Sequence, residues 1–338
     1  MAQIILSTGN IVSGGPSIIR KPGAYRSNLE LTNSLRSNFL AAQQDYADHA
    51  DPDADAGASS PLTADDPIGD NNGTTTTISN GHGNTDTTPP PPPSLPVWTA
   101  HQDGVIFVPR IDWPEAGLQE EPSEYDITVK LFFLPTTPVA ARPQYVREAL
   151  SLVLKELDVR AVDLLVVSFP GMSFDGDCEW EADKRNALQG NDDDEAATWP
   201  AVEELQRQGL VRSLGIAEFG SAKLARFLTR VQVPPRVDQI NIKNCCNVPP
   251  PLVKIAKEQG IDLLVHSDCT DILSKGTLRE LLGPGPRGAG ILADTETGTG
   301  GLQGDLVPQW VVKYTAVVRD RGVIENKGYF ASAALVQE

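Results

Sequence analysis

The sequence is poor in the residues that build disulfide frameworks and zinc sites. Its 338 residues include only four cysteines and four histidines. Two of the cysteines, Cys245 and Cys246, are adjacent, which is not the spacing of a disulfide framework, and the histidines form no recognised zinc-ligand pattern. Such thiols are typical of a reducing compartment. We therefore expect a cytoplasmic protein without a bound metal.

Long apolar runs and an excess of basic residues are also missing. No stretch reaches the roughly 18 apolar residues of a membrane-spanning helix, and the N-terminus lacks the basic and apolar regions of a secretory signal. Acidic residues outnumber basic ones by 45 to 28, which gives a formal net charge of −17. A surface of this sign repels nucleic-acid phosphates and anionic lipid. We expect neither nucleic acid nor a membrane as a partner.

Three segments interrupt an otherwise patterned chain. Residues 44–96 contain almost nothing apolar and include five consecutive prolines, so they predict a disordered insertion. The prolines favour a stiff spacer, with a polyproline ligand for an SH3-like partner as the alternative. Residues 175–198 are acidic and residues 283–304 are glycine-rich, and both predict loop insertions. The remainder predicts a single domain over residues 1–338.

Outside these segments, short β-branched runs alternate with amphipathic stretches, which is typical of βα units. The eight candidate strands are Ile4–Leu6, Val105–Val108, Ile127–Leu134, Val162–Ser168, Arg212–Ala217, Val237–Ile242, Ile261–His266 and Val323–Phe330. The last candidate helix is Pro308–Asp320. The pattern predicts an α/β fold, a (β/α)8 TIM barrel, in which the loops after the strands carry function. A doubly wound open sheet is the alternative.

Two stretches resemble the aldo-keto reductase family: GLVRSLGIAEFGSAKLARFL at 209–228 and AVDLLVVSFP at 161–170. In that family, a tyrosine, a lysine, an aspartate and a histidine at strand ends support hydride transfer from NADPH to a carbonyl. The resemblance places Lys130 at the lysine position and Ser168 at the histidine position. No counterpart of the tyrosine and aspartate motif occurs between residues 109 and 126.

The cofactor positions of that family also differ here. Ala217 and Glu218 replace the serine–asparagine pair that holds the nicotinamide amide. The phosphate-binding run of the eighth strand is absent, although Lys327 is nearby. The resemblance therefore implies the barrel without reductase activity and without a bound cofactor. An NADPH-dependent reductase with atypical catalytic residues is the alternative.

Two longer blocks resemble one branch of this superfamily. Val237–Asp268, which contains QINIKNCCNVPP, and Trp310–Phe330, which contains RGVIENKGY, are similar to the glutamate–cysteine ligase regulatory (modifier, or light-chain) subunit family. This resemblance implies a non-catalytic protein that forms a heterodimer with the catalytic subunit of the ligase. It also implies better use of glutamate and weaker feedback inhibition by glutathione. A partner can produce such effects only by binding one conformation of the enzyme more tightly than another.

The adjacent thiols Cys245 and Cys246 have two interpretations. They are either a redox-sensitive or intersubunit pair at the end of the sixth candidate strand, or one core cysteine and one loop cysteine without reactivity. Thiol reactivity depends on a local electropositive setting that the sequence does not fix.

Lys130 is interpreted as a structural ion-pair partner inside the barrel mouth, with a relic of the reductase site or a cofactor contact as the alternatives. A buried lysine needs a carboxylate. Glu218 is the favoured partner, because Asp163 begins a strand at the opposite end of the barrel. His266 ends the seventh candidate strand, where a lone histidine is more often satisfied by hydrogen bonds than catalytic.

Overall fold

The computed structural model describes residues 2–13, 26–48, 94–242, 247–285, 287–294 and 300–336. The strands in these residues are β1 (Ala2–Ser7), β2 (Ala100–Gln102), β3 (Val105–Val108), β4 (Tyr125–Phe133), β5 (Val162–Ser168), β6 (Val211–Ala217), β7 (Val237–Ile240), β8 (Asp262–Val265), β9 (Asp305–Val318) and β10 (Val323–Val336). The α-helices are α1 (Ser27–Asp48), α2 (Leu95–Trp98), α3 (Arg142–Glu156), α4 (Glu179–Asn186), α5 (Asp192–Arg207), α6 (Ser221–Leu228), α7 (Pro250–Gln259) and α8 (Lys275–Leu282). None of these helices combines the length and apolar character needed to cross a membrane.

The described strands join one sheet in the order β2-β3-β1-β10-β9-β4-β5-β6-β7-β8. From β4 to β8 the neighbouring strands are parallel, and every connection between them contains a helix. This alternation confirms the predicted α/β class and its parallel βα units. Within the described residues, the outer strands β2 and β8 do not pair with each other.

Helices pack on both faces of the sheet. Successive side chains of a strand point to opposite faces, so one strand contributes residues to two cores. Along β4, Val129 and Leu131 join a first core with residues of α3, α5, α6 and α7. Phe132 lies on the other face, in a second core with residues of α1 and α8. The sheet therefore separates two apolar layers.

The C-terminal region differs from the sequence prediction. The predicted helix Pro308–Asp320 is wrong, because these residues lie mainly in β9, which pairs antiparallel with both β4 and β10. The segment is rich in β-branched and aromatic residues, which fit a pleated surface better than a helix. The predicted last strand, Val323–Phe330, lies in β10 and is antiparallel to its neighbours.

The predicted insertions have different outcomes. In the segment 44–96, α1 continues to Asp48 and α2 begins at Leu95, while residues 49–93 lie outside the described residues. The prediction that 175–198 is a loop is wrong, because α4 and the start of α5 occupy it and bury Asn186 and Glu195. The segment 283–304 has no helix among its described residues, but Ile291 and Leu292 are buried in the second core.

Candidate functional site

Two lysines and one aspartate form a buried charged group beside the second core. Lys130 of β4 and Lys313 of β9 are direct cross-strand partners. Asp268, which follows β8, lies between them, with Oδ2 3.0 Å from Nζ of Lys130 and Oδ1 2.8 Å from Nζ of Lys313. The side chains of Lys130 and Asp268 are 4% and 9% exposed, whereas that of Lys313 is 22% exposed. One carboxylate therefore balances two ammonium groups. We call these three residues the lysine–aspartate cluster.

His266 and Asn241 hold the loop that carries Asp268. The backbone N–H of Asp268 donates to Nδ1 of His266 at 3.0 Å, and Nδ2 of Asn241 donates to the carbonyl of Asp268 at 3.1 Å. Because Nδ1 accepts a hydrogen bond, a neutral imidazole carries its proton on Nε2. That atom lies 2.8 Å from Oε1 of Glu218. Glu218 thus supplies a second carboxylate at the edge of the cluster.

The charges of the cluster shift its own pKa values. Burial lowers the pKa of Lys130 below its ordinary value, and the attraction of Asp268 opposes this shift. Burial alone would raise the pKa of Asp268, but Lys130 and Lys313 outweigh it and bring that pKa well below its ordinary value. Asp268 is therefore ionised at neutral pH, and its charge favours the charged form of Lys130.

Glu218 has an unusual backbone conformation directly after β6. Its φ of +65° is in the left-handed region, which is costly for a residue with a side chain. Its N–H donates to the carbonyl of Gln239 at 2.8 Å, and its carbonyl accepts from Nδ2 of Asn186 at 2.7 Å. Asn186 also accepts the N–H of Gly220 at 2.7 Å. These bonds hold Glu218 where its carboxylate meets His266.

Asp238 of β7 lies in the same region and is more deeply buried than Glu218. Its side chain is fully buried, and this burial raises its pKa well above the ordinary value. The backbone N–H of Phe219 approaches Oδ1 at 3.4 Å, and Oδ2 has no hydrogen-bond partner among the described residues. Burial therefore disfavours the charged form of the Asp238 carboxyl group.

A second polar cluster explains the Lys327-Gly328-Tyr329 run of β10. Nζ of Lys327 and the hydroxyl of Tyr329 both contact the carboxylate of Glu30 on α1, at 2.7 and 2.6 Å. Gly328 faces the opposite way, where a Cβ would lie 2.5 Å from the carbonyl oxygen of Gly9 and closer still to the hydroxyl of Tyr314. Lys327 and Tyr329 therefore bind Glu30 on one face of β10, and Gly328 allows close packing on the other face.

The structure brings together some of the predicted site residues and separates others. Lys130 is in the lysine–aspartate cluster, and Glu218 reaches the edge of that cluster through His266. Ser168 is buried at the end of β5, next to Phe132 of β4 in the strand register. Lys327 belongs to the second polar cluster, where it pairs with Glu30. Cys245 and Cys246, the predicted redox or interface thiols, lie outside the described residues.

The predicted carboxylate partner of Lys130 is wrong. Asp268, rather than Glu218, forms the ion pair with Lys130. Asp163 is at the other end of the strands, as predicted, where it accepts from Arg212 at 2.7 Å and from the backbone N–H of Ile127 at 2.8 Å. Glu218 has a left-handed backbone, and its carboxylate contacts His266 instead of Lys130.

Sequence reasoning missed Asp268 and Lys313. Asp268 is three residues beyond the end of β8, where the loops of parallel strands meet, so its position was a usable signal. Lys313 was hidden because its segment was predicted to be a helix, which removed it from the sheet. Once β9 is recognised as a strand, its register with β4 places Lys313 beside Lys130.

The residues at the former cofactor positions are held in structural contacts. Their neighbour Tyr329 is buried, bonded to Glu30, and has its pKa raised well above the ordinary value by burial and by that carboxylate. Lys327 forms an ion pair with Glu30, and the carboxylate of Glu218 contacts His266. These residues do not fit NADPH. Within the described ranges, no group of three or more histidine, cysteine or acidic side chains is arranged to hold a metal ion.

Comparison with known proteins gives a consistent picture. Residues 115–283, half of the chain, match the model of the aldo/keto reductase family. The glutamate–cysteine ligase regulatory subunit of Mus musculus is 26% identical over 63% of this chain and 68% of its own length. A putative regulatory subunit of the same ligase from Schizosaccharomyces pombe is 28% identical over 69% and 79%. A solved aldo-keto reductase of Bombyx mori in complex with NADP is 24% identical over 41% of this chain and 40% of that one, with a TM-score of 0.30. This chain belongs to the aldo/keto reductase family.

Proposed function

We propose that this protein is a non-catalytic regulatory subunit of glutamate–cysteine ligase that acts in the cytoplasm. In this role it binds the catalytic subunit, improves its use of glutamate and relieves feedback inhibition by glutathione. The proposal is supported by the similarity to proteins that carry the name of this regulatory subunit. Assembly with a catalytic subunit, and its effects on that subunit, are the parts that require experiment.

The ion pair of Lys130, the lysine of the family motif, is the structural observation that carries the non-catalytic part of the proposal. Tyr329 is likewise held in a structural contact, because its buried hydroxyl is bonded to Glu30 and its pKa is raised. Nζ of Lys130 lies 3.0 Å from Oδ2 of Asp268, and both side chains are buried. The lysine of the reductase motif is therefore present, but its contact is that of a structural ion pair.

Association with the ligase is tested by sedimentation of the purified chain with the purified catalytic subunit of glutamate–cysteine ligase. We expect a one-to-one heterodimer. An active aldo/keto reductase is the matched control, because it shares the family without the regulatory-subunit blocks. Failure of the folded chain to associate, or equal association of the control, would contradict the proposal.

A second measurement separates the regulatory role from the reductase alternative. The chain contains five tryptophans, whose fluorescence reports NADPH binding by quenching. We expect no quenching and no oxidation of NADPH in the presence of an aldehyde. Turnover of an aldehyde by the purified chain would show that it is an enzyme.

A further inference from the structure

The loop of residues 266–269, directly after β8, connects the lysine–aspartate cluster to the start of α1. The carboxylate of Asp268 contacts both lysines of that cluster. The backbone N–H of the next residue, Cys269, donates to Oγ of Ser27 at 2.8 Å, and Ser27 is the first residue of α1. A movement of this loop therefore changes two contacts at once, one with the cluster and one with the helix.

His266 fixes the loop through one nitrogen of its ring. Nδ1 accepts the backbone N–H of Asp268 at 3.0 Å, which requires a lone pair on that nitrogen. A neutral imidazole has this lone pair, whereas an imidazolium carries a proton on both nitrogens and accepts no hydrogen bond. The bond from Asn241 to the carbonyl of Asp268 does not involve the ring. The position of the loop therefore belongs to the neutral ring, and a second proton on His266 requires the N–H of Asp268 to move away.

Two carboxylates lie close to the ring of His266. Oε1 of Glu218 is 2.8 Å from Nε2, and Oδ2 of Asp268 is 3.8 Å from Nδ1. The contact with Glu218 is close but lacks hydrogen-bond geometry, and both Nε2 of His266 and Oε2 of Glu218 are without a hydrogen-bond partner among the described residues. Within the described part of the chain, Glu218 forms an ion pair with no residue except His266. A charged ring therefore gives this buried carboxylate its counter-charge.

The other charged groups near the ring come from β4, β7 and β9. Lys130 and Lys313 repel an imidazolium, but both are paired with Asp268. Asp238 is fully buried, and burial disfavours its charged form. The two lysines thus oppose a charge on the ring, and the carboxylates of Glu218 and Asp268 favour it.

We propose that His266 is a proton-sensitive latch, which holds the loop 266–269 when its ring is neutral and releases the loop when the ring binds a second proton. Release withdraws the carboxylate of Asp268 from Lys313, whose side chain is 22% exposed, and separates Cys269 from the start of α1. Acidification thus presents a positive charge at the carboxyl ends of the strands and loosens one contact of the helix. The proposal does not depend on the proposed regulatory function.

The proposal is tested by amide hydrogen exchange of the full chain, followed by NMR at pH 7.5 and pH 5.5 and corrected for the intrinsic exchange rates. The amides of Asp268 and Cys269 report the loop, and the amides of β5 report global unfolding. Three variants are compared with the wild type. His266→Asn keeps an oxygen acceptor near the position of Nδ1 and cannot take up a proton. His101→Asn is the matched control at an exposed histidine of β2, and Asp238→Asn removes the buried carboxyl group nearby.

A free imidazole has a pKa of about 6.5. A ring that binds its second proton only in the released state therefore favours release about tenfold more at pH 5.5 than at pH 7.5. We expect the protection of both loop amides to fall about tenfold over this range in the wild type, in His101→Asn and in Asp238→Asn, while the β5 amides keep theirs. In His266→Asn the protection should not depend on pH.

Four results would overturn the proposal. They are loop protection in the wild type that is independent of pH, a loss of protection that the β5 amides share, the same pH dependence in a folded His266→Asn, and a pH dependence that Asp238→Asn abolishes. The first, second and fourth of these do not require the His266 variant to fold.

Discussion

Replacement of Asp268 by asparagine should destabilise the fold, because it leaves two neighbouring lysines without their shared counter-charge. Lys130 is 4% exposed and cannot reach water without moving the strand that carries it. Lys313 is 22% exposed and can turn towards solvent. Removal of one partner from a buried ion pair costs about 3–5 kcal/mol. The partial exposure of Lys313 favours the lower end, about 3 kcal/mol.

This loss can be measured by thermal and urea unfolding. With about 2.1 cal/mol/K of unfolding entropy per residue, a loss of about 3 kcal/mol lowers the Tm by about 4–5 °C. The control is Asp126→Asn, which removes an ion pair between Arg319 and an aspartate that is 64% exposed. That change should alter the free energy of unfolding by less than about 1 kcal/mol.

Two further results would identify the unpaired lysine as the cause. Adding Lys130→Met to Asp268→Asn should restore part of the stability, because the buried charge is then gone. The deficit of Asp268→Asn should also shrink as the pH rises towards the ordinary lysine pKa of about 10.4. Burial lowers the pKa of Lys130 and Asp268 opposes this shift, so loss of Asp268 lowers that pKa further and the folded variant binds fewer protons than the folded wild type. The free energy of unfolding of the variant therefore rises more steeply with pH than that of the wild type. An Asp268→Asn protein as stable as the Asp126→Asn control would refute the reasoning.

Three other predictions concern the core, the positioning of the Glu218 loop, and acid stability. Gly328→Ala should cost about 1–3 kcal/mol in urea unfolding, because its Cβ would overlap the hydroxyl of Tyr314; Gly276→Ala, which meets nothing within 4 Å, should be neutral or slightly stabilising. Asn186→Ala should cost about 2 kcal/mol or more, since it removes the partners of two buried backbone groups, and an unchanged Tm would contradict this. The hydrogen bond from Arg226 lowers the pKa of Asp192 to about 2; its stabilising contribution should therefore persist above about pH 4 and disappear as the pH falls towards 2, as an acid titration of wild type against Asp192→Asn would show.

The central part of the fold was predictable because its strands are short, β-branched and separated by amphipathic helices. The predicted strand Val162–Ser168 has the same bounds as β5, and those predicted from Arg212 and Val237 differ by one or two residues from β6 and β7. Local composition determines such elements, since β5 and β6 are largely buried strands of the parallel part of the sheet.

The C-terminal region was not predictable in the same way. Its strand β9 contains Lys313 and Tyr314 on opposite faces, and both face buried polar partners, so the segment lacks a simple apolar pattern. The acidic run at the start of α5 was similarly misleading. Asp192 and Glu195 are at a helix N-terminus, where carboxylates are stabilising, and both pair with Lys223. This contact joins two helices and cannot be read from sequence spacing.

Part of the candidate site was visible in the sequence and part was not. Lys130 could be selected by its place in a family motif, and Glu218 by its position after a strand. The choice of Asp268 over Glu218 as the partner of Lys130 depends on the left-handed backbone of Glu218, which a non-glycine residue rarely adopts. Tertiary hydrogen bonds from Asn186 impose that conformation.

The most direct test of the regulatory role is the activity of the glutamate–cysteine ligase catalytic subunit, titrated with this protein across a series of glutathione concentrations. We predict a lower glutamate requirement and weaker inhibition by glutathione, with both effects saturating near one chain per catalytic subunit. An active catalytic subunit whose response to glutamate and glutathione is unchanged by the folded chain would contradict the account.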